Sequence, residues 1–230
     1  MNWQKVIHYF SEYYFTNLLL LFISTLFLWY GIINDAKLKK YRVFYFYACM
    51  SISQTILASY INLFQSGNKE FAFVIQGSIN IFTILEFLIF YYFLIKRIRS
   101  VFIKRLMRLF IFLFIFITAY FWGFTNEFFQ NPARLTVIES FLIIFSCLFY
   151  FYELFKYPLI KNLLSEPSFW MVTGMLFLFS SIVPLFLIHD YIAKNFSILY
   201  DNLYSINFIA YSLLFVLFII GFRCQMKISI

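Results

Sequence analysis

Seven apolar runs, each about as long as a bilayer is thick, constrain this chain more than anything else in it. A helix rises 1.5 Å per residue, so about twenty consecutive apolar residues cross the roughly 30 Å of hydrocarbon. Such runs lie at about 10–33, 43–64, 71–95, 107–125, 135–155, 169–189 and 203–222. Backbone groups find no water in lipid, so each spanning segment must satisfy its own hydrogen bonds, and helices are expected rather than strands. The links (NDAKLKKYR, QSGNKE, KRIRSVFIKR, NEFFQNPAR, KYPLIKNLLSEPS, HDYIAKNFSILYDN) are too short to fold alone. The expected architecture is therefore all-α: a polytopic membrane protein forming one seven-transmembrane-helix bundle over residues 1–230, with no soluble domain.

Charge supports the same reading. The chain is 63% hydrophobic and 12% charged, too little charge to coat a soluble core. Its net charge of +8 is carried by short loops rather than by a basic domain, so no nucleic-acid partner is expected. Fourteen Lys and Arg fall on one side: Lys37, Lys39, Lys40, Arg42; Lys96, Arg97, Arg99, Lys104, Arg105, Arg108; Lys156, Lys161; Arg223 and Lys227. Four fall on the other: Lys5, Lys69, Arg134 and Lys194. The positive-inside rule then puts the N-terminus outside and the C-terminus in the cytoplasm. Trp3, Trp29, Trp122 and Trp170 fall at expected interfaces, where an amphipathic ring is favoured. Cys49, Cys147 and Cys224 are widely separated and suggest neither disulfide nor metal spacing. The first residues lack a basic n-region and a small-residue cleavage pattern, so no cleavable signal peptide is expected.

The polar residues inside the spans are the candidate site. Residues 79–87 read INIFTILEF, and Glu86 lies about 15 Å from the basic end of its span. A charge there costs about 2.5–3.5 kcal/mol, which calls for protonation, a polar partner or a water-filled cavity. Gln76, Asn80 and Thr83 share a helical face, with Glu86 to its side. That flank suits either interhelical hydrogen bonds or a ligand or proton site. In the fifth span Glu139, Ser146 and Glu153 recur every seven residues. Arg134 precedes Glu139 by one turn and can offset a charge there, whereas Glu153 reads as interfacial beside Lys156. Glu86, Glu139 and Asn80 are expected to line one inward cavity. Pro184 removes a backbone donor from the sixth span, a packed kink or a hinge. Gly174, Leu178 and Ser181 form a stripe where another helix can approach. Asn207 and Ser212 are the polar points of the last span. His8 and His189, with Glu12 and Asp190, are the only residues that suggest a metal, and two peripheral histidines do not make a ligand set; no metal or cofactor is expected.

Several functional classes can be weighed on these residues. A retinal-binding protein needs a lysine in the last span, and residues 203–222 have none. Seven-span zinc hydrolases use several histidines within their spans. A seven-span sugar transporter of the three-plus-one-plus-three type fits the size and orientation, but only Pro184 lies within a span and no Pro-Gln pair occurs. No nucleophile elbow, P-loop or HExxH motif is present.

The stretches NIFTILEF, ARLTVIESFLIIFSCLFYFYEL, PSFWMVTGMLFLFSS and the last span ending IIGFRC together resemble a group of small, uncharacterised seven-span integral membrane proteins of Bacteroidota, over about residues 75–223. The matching positions are Asn80 and Glu86; Arg134 with Glu139 and Ser140; and Pro167, Phe169 and Trp170. The chain departs from the pattern at Ser180–Ser181, where a glycine is usual, and in lacking a histidine in its last span. The resemblance implies residence in the bacterial cytoplasmic (inner) membrane. It also implies signalling, since such proteins are often encoded near sensor histidine kinases.

The leading expectation is a non-enzymatic membrane sensor. It would bind a small or lipophilic ligand around Asn80, Thr83, Glu86, Arg134, Glu139, Ser146 and Asn207. Output would pass to a cytoplasmic partner, with Lys96, Arg97, Arg99, Lys104 and Arg105 meeting that partner or anionic lipid. A small-solute or proton-coupled transporter using the same carboxylates is the alternative, and an intramembrane lipid-modifying enzyme the third.

Overall fold

The structure, a computed structural model, describes residues 3–34, 38, 41–64, 69–125, 132–157, 163–188 and 197–228. Among these residues the chain forms seven long helices and no strand. They are α1 (Trp3–Ile33), α2 (Arg42–Phe64), α3 (Lys69–Arg97), α4 (Val101–Phe124), α5 (Pro132–Lys156), α6 (Pro167–Leu187) and α7 (Ser197–Ile228). A short 3-10 turn, Leu163–Ser165, precedes α6. Pro167 occupies the first turn of α6, where its missing N–H has no partner to lose.

Four segments are long and apolar enough to cross a bilayer: Phe73–Arg97, Ala133–Lys156, Pro167–Leu187 and Ile206–Met226. Large apolar side chains also point outward from every helix, among them Phe22, Phe46, Ile81, Phe112, Phe145, Phe177 and Ile209. Water would penalise that belt and lipid tails accept it, so the chain is a multi-pass helical membrane protein in contact with the bilayer.

The start of α4 departs from its expected span for a reason visible in the structure. Its apolar run begins near residue 107, yet the helix begins at Val101 and includes Lys104, Arg105 and Arg108. The KRIRSVFIKR link is thereby reduced to three non-helical residues, 98–100. The cause lies at the helix N-terminus. Ser100 Oγ accepts the Ile103 N–H at 3.4 Å. Glu153 of α5 accepts the N–H groups of Arg99 (2.6 Å) and Ser100 (2.8 Å). A carboxylate there satisfies donors the helix itself leaves open and complements its dipole.

Packing joins α1 to α2, α2 to α3, α3 to α5, α5 to α6, α6 to α7, and α7 back to α1. These six helices close a ring, and α4 lies outside it against α3 and α5. The order repeats: moving four helices along the chain carries α1–α2–α3 onto α5–α6–α7, and the joint α3–α5 onto α7–α1. The α6–α7 seam is close because of its glycines. A Cβ on Gly174 would lie 3.1 Å from Leu214, and one on Gly221 only 2.9 Å from the Pro167 carbonyl oxygen. The expected approach at Gly174 is thus made by α7. Pro184 falls in the last turn of α6, which ends at Leu187.

The ring interior changes character along its axis. Toward the ends bearing Arg97 and Arg223 it is aromatic. Phe27, Tyr41, Phe44, Phe90, Phe179, Phe215, Phe218 and Phe222 are all fully buried. Their rings meet across helices: Phe27–Phe222 at 4.9 Å, Phe44–Phe218 at 4.7 Å, Phe44–Phe93 at 4.9 Å and Phe90–Phe179 at 5.7 Å. Such pairs add about 0.5–1.5 kcal/mol each beyond simple burial. Toward the opposite ends the buried residues turn polar: Ser51 and Thr55 of α2, Asn80 and Thr83 of α3, and Thr136, Glu139 and Ser140 of α5.

Candidate functional site

Glu86 sits where the aromatic and polar halves meet. It is one turn from Phe90 along α3 and 1% exposed. Tyr47 of α2 donates its hydroxyl to Glu86 Oε1 at 2.6 Å. Tyr211 of α7 donates to Oε2 at 3.1 Å. Three helices thus converge on one carboxylate. The Tyr47 ring is itself held by Phe90 (4.9 Å), Phe215 (5.7 Å) and Phe82 (6.0 Å), which fixes the direction of its hydroxyl.

Glu139 lies on α5 at the same level and is fully buried. Its level follows from the next contact along α3 and α5. The Tyr91 hydroxyl donates to the Leu142 carbonyl at 2.9 Å, and Ser146 Oγ lies 2.7 Å from Tyr91 Oη. Five residues back from Tyr91 is Glu86; three back from Leu142 is Glu139. The two carboxyls lie within each other's field, and Glu139 also acts on Tyr47 and Tyr211. Among the described residues, neither oxygen of Glu139 has a hydrogen-bond partner. Asn207 Oδ1, one turn before Tyr211 on α7, is likewise buried without a partner.

The neighbouring hydroxyls differ in kind. Ser140 donates to the Thr136 carbonyl (2.6 Å), Ser212 to Phe208 (2.8 Å) and Thr55 to Ser51 (2.8 Å), each within its own helix. A short hydroxyl side chain can satisfy itself against the preceding turn. Glu139 and Asn207, by contrast, carry buried oxygens with no such bond.

The structure brings together Glu86, Glu139, Tyr47 and Tyr211, with Asn80 and Thr83 buried farther along α3. Arg134 does not join them: its side chain is exposed, and Glu139 accepts no hydrogen bond from it. Ser146 serves the Tyr91 contact one to two turns away. Of the residues weighed for metal, His8 and Glu12 fall on α1, while His189 and Asp190 lie outside the described residues. Among the described residues no cluster of His, Cys, Asp and Glu could hold a metal ion.

Tyr47 and Tyr211 are the site residues that the spans do not advertise. Among eighteen tyrosines neither stands out. The one available signal is that Asn207 and Tyr211 are four apart and so stack on one helical face.

A second polar group closes the other end of the ring. The Arg97 guanidinium lies over the rings of Tyr41 (5.4 Å) and Phe93 (5.2 Å). Tyr41 donates toward Gln225 of α7 at 3.5 Å. Burial pushes the Tyr41 hydroxyl above its ordinary range, and the Arg97 charge pulls it partly back. Ser168 Oγ, at the start of α6, donates to Glu166 at 2.8 Å. Lys96 is exposed beside the Tyr92 ring, and Arg99, Lys104 and Arg105 lie at the α3–α4 corner. Comparison with family models, curated proteins and solved structures finds no match to this chain.

Proposed function

We propose that the chain is a seven-span sensor of the bacterial inner membrane, with its N-terminus outside and its C-terminus in the cytoplasm. It binds a small or lipophilic ligand at the Glu86–Glu139 cluster and signals through a cytoplasmic partner. One observation carries this reading: Glu139 is fully buried, and both its oxygens lack a partner. A clasp that only fixed helix packing would pair its polar atoms, because an unmet buried carboxyl costs about 2–7 kcal/mol even when neutral. A site that waits for a ligand leaves them open. The aromatic half of the ring blocks passage beyond the cluster, which suits a site that receives a ligand and reports it. The basic α3–α4 corner suits anionic headgroups or an acidic partner face. A sensor histidine kinase is the partner toward which the sequence resemblance points.

A second reading, a small-solute or proton-coupled transporter, draws on the three-one-three packing order. Glu86 belongs to the first set of three helices and Glu139 to the second, so relative movement of the sets would alter the pair. Native mass spectrometry of gently extracted protein, paired with flux in proteoliposomes, separates the two. A sensor retains a small molecule that Glu139→Gln loses, co-purifies with a partner, and moves no solute alone. Solute or proton flux by the purified protein would replace sensing with transport. Wild type and variant both free of any bound molecule and partner would remove the ligand site.

A further inference from the structure

We infer that the Glu86–Glu139 cluster takes a protonated amine carrying an apolar body; this rests on the cluster being a ligand site. Glu139 Oε1, Glu139 Oε2 and Asn207 Oδ1 are buried with no hydrogen-bond partner among the described residues, and with Glu139 ionised all three are acceptors. The described partners of Glu86 are two phenols, which donate hydrogen bonds but bring no positive charge. The cluster therefore lacks donors and a counter-charge together. An ammonium group supplies both, with three N–H donors, one positive charge and no lone pair of its own to satisfy.

Other ligand classes fit less well. A carboxylate or phosphate would add negative charge beside two acidic side chains. An alcohol brings one donor and two lone pairs, and the hydroxyls of Tyr47 and Tyr211 are already committed to Glu86. A hard metal cation asks for about six oxygens, and Glu139 and Asn207 together offer three. The rings that pack on Tyr47, those of Phe82, Phe90 and Phe215, give the cluster apolar surroundings suited to the body of such an amine.

The test uses the full chain in lipid nanodiscs, read by thermal unfolding and calorimetric titration. The probes are 2-phenylethylammonium, its neutral isostere 2-phenylethanol, and sodium chloride. The ammonium is expected to raise Tm in a saturable way at concentrations where the alcohol and the salt do not. Glu139→Gln should weaken ammonium binding by at least about 30-fold, as when one partner of a buried charge pair is removed. Asn207→Leu should weaken it by less, and it keeps the test open should Glu139→Gln fold poorly. Equal binding of ammonium and alcohol would overturn the cationic chemistry while leaving a ligand site in place. So would a response to sodium that matches the response to the amine. Ammonium binding unchanged in both variants would move the ligand elsewhere and overturn the assignment to Glu139. Silence toward every probe overturns the amine reading; a molecule retained in native mass spectrometry would still uphold the ligand site.

Discussion

Tyr47 donates to Glu86 at 2.6 Å from one side of the ring, and Tyr211 reaches the same carboxyl from another at 3.1 Å. The shorter bond is to a phenol fixed between aromatic rings, so its loss cannot be made good by a small shift. Tyr47→Phe is expected to lower stability by about 1–2 kcal/mol, toward the upper end of interhelical hydrogen bonds in membranes. Tyr211→Phe should cost about half as much. Reversible unfolding in mixed micelles measures both. In a double-mutant cycle with Glu86→Gln the two tyrosines should couple to Glu86 in that order. Equal or zero coupling would mean that the carboxyl is not held by these hydroxyls.

Glu153 fastens α5 to the start of α4 through two backbone donors, the N–H groups of Arg99 and Ser100. Glu153→Gln keeps one acceptor but loses the charge that meets the helix dipole, and should cost about 1 kcal/mol. Glu153→Ala leaves both donors open and should cost about 2 kcal/mol. Hydrogen exchange localises the effect: the amides of residues 99–103 should exchange faster in both variants, with the ring interior unchanged. Uniform acceleration throughout the bundle would count against a local corner.

Two glycines make a matched comparison. A Cβ on Gly221 would meet the Pro167 carbonyl oxygen at 2.9 Å, and a backbone atom cannot swing away as a side chain can. Gly221→Ala should therefore separate α6 from α7 and lower Tm. A Cβ on Gly123 meets nothing within 4 Å. Gly123→Ala should be neutral, or stabilise by up to about 1 kcal/mol through helix propensity. Equal effects at the two positions would contradict the close α6–α7 seam.

The helices themselves were legible as apolar runs, and four of them are long and apolar enough to cross a bilayer. Asn80, Thr83, Glu86 and Glu139 were legible as polar interruptions of those runs, and all four are buried. The start of α4 was not, because it depends on Glu153, which lies more than fifty positions away and reads locally as an interfacial residue beside Lys156. Nor was the ring order. Sequence adjacency places α4 next to α3 and α5, but nothing local says that α3 and α5 also touch and expel α4 to the outside. The convergence of Tyr47 and Tyr211 on Glu86 depends on that order, so single-helix faces could not reveal it. Arg134 illustrates the converse. Its spacing from Glu139 permits an encounter, yet the side chain is exposed while Glu139 points into the packed ring.

The aromatic half of the ring should act as a seal. Phe218 lies near its centre, with Phe44 at 4.7 Å, Phe27 at 5.8 Å, Phe215 at 6.2 Å and Phe90 at 6.4 Å. Phe218→Ala removes the ring these four share and should cost about 3 kcal/mol through the void left behind. The void would lie directly below the Tyr47–Glu86 bond, since Phe90 and Phe215 touch Tyr47 as well. The aromatic layer beneath the polar half would then be thinned. Proteoliposomes containing a trapped pH dye should hold an imposed gradient with the wild type and leak protons with Phe218→Ala, while Phe218→Leu, which fills most of the volume, should leak little. Adding Glu86→Gln to the Ala variant should slow the leak if protons pass by way of that carboxyl. A leak that is indifferent to Glu86 would place the path outside the ring, and tight vesicles with Phe218→Ala would show that the remaining aromatic side chains seal the ring without Phe218.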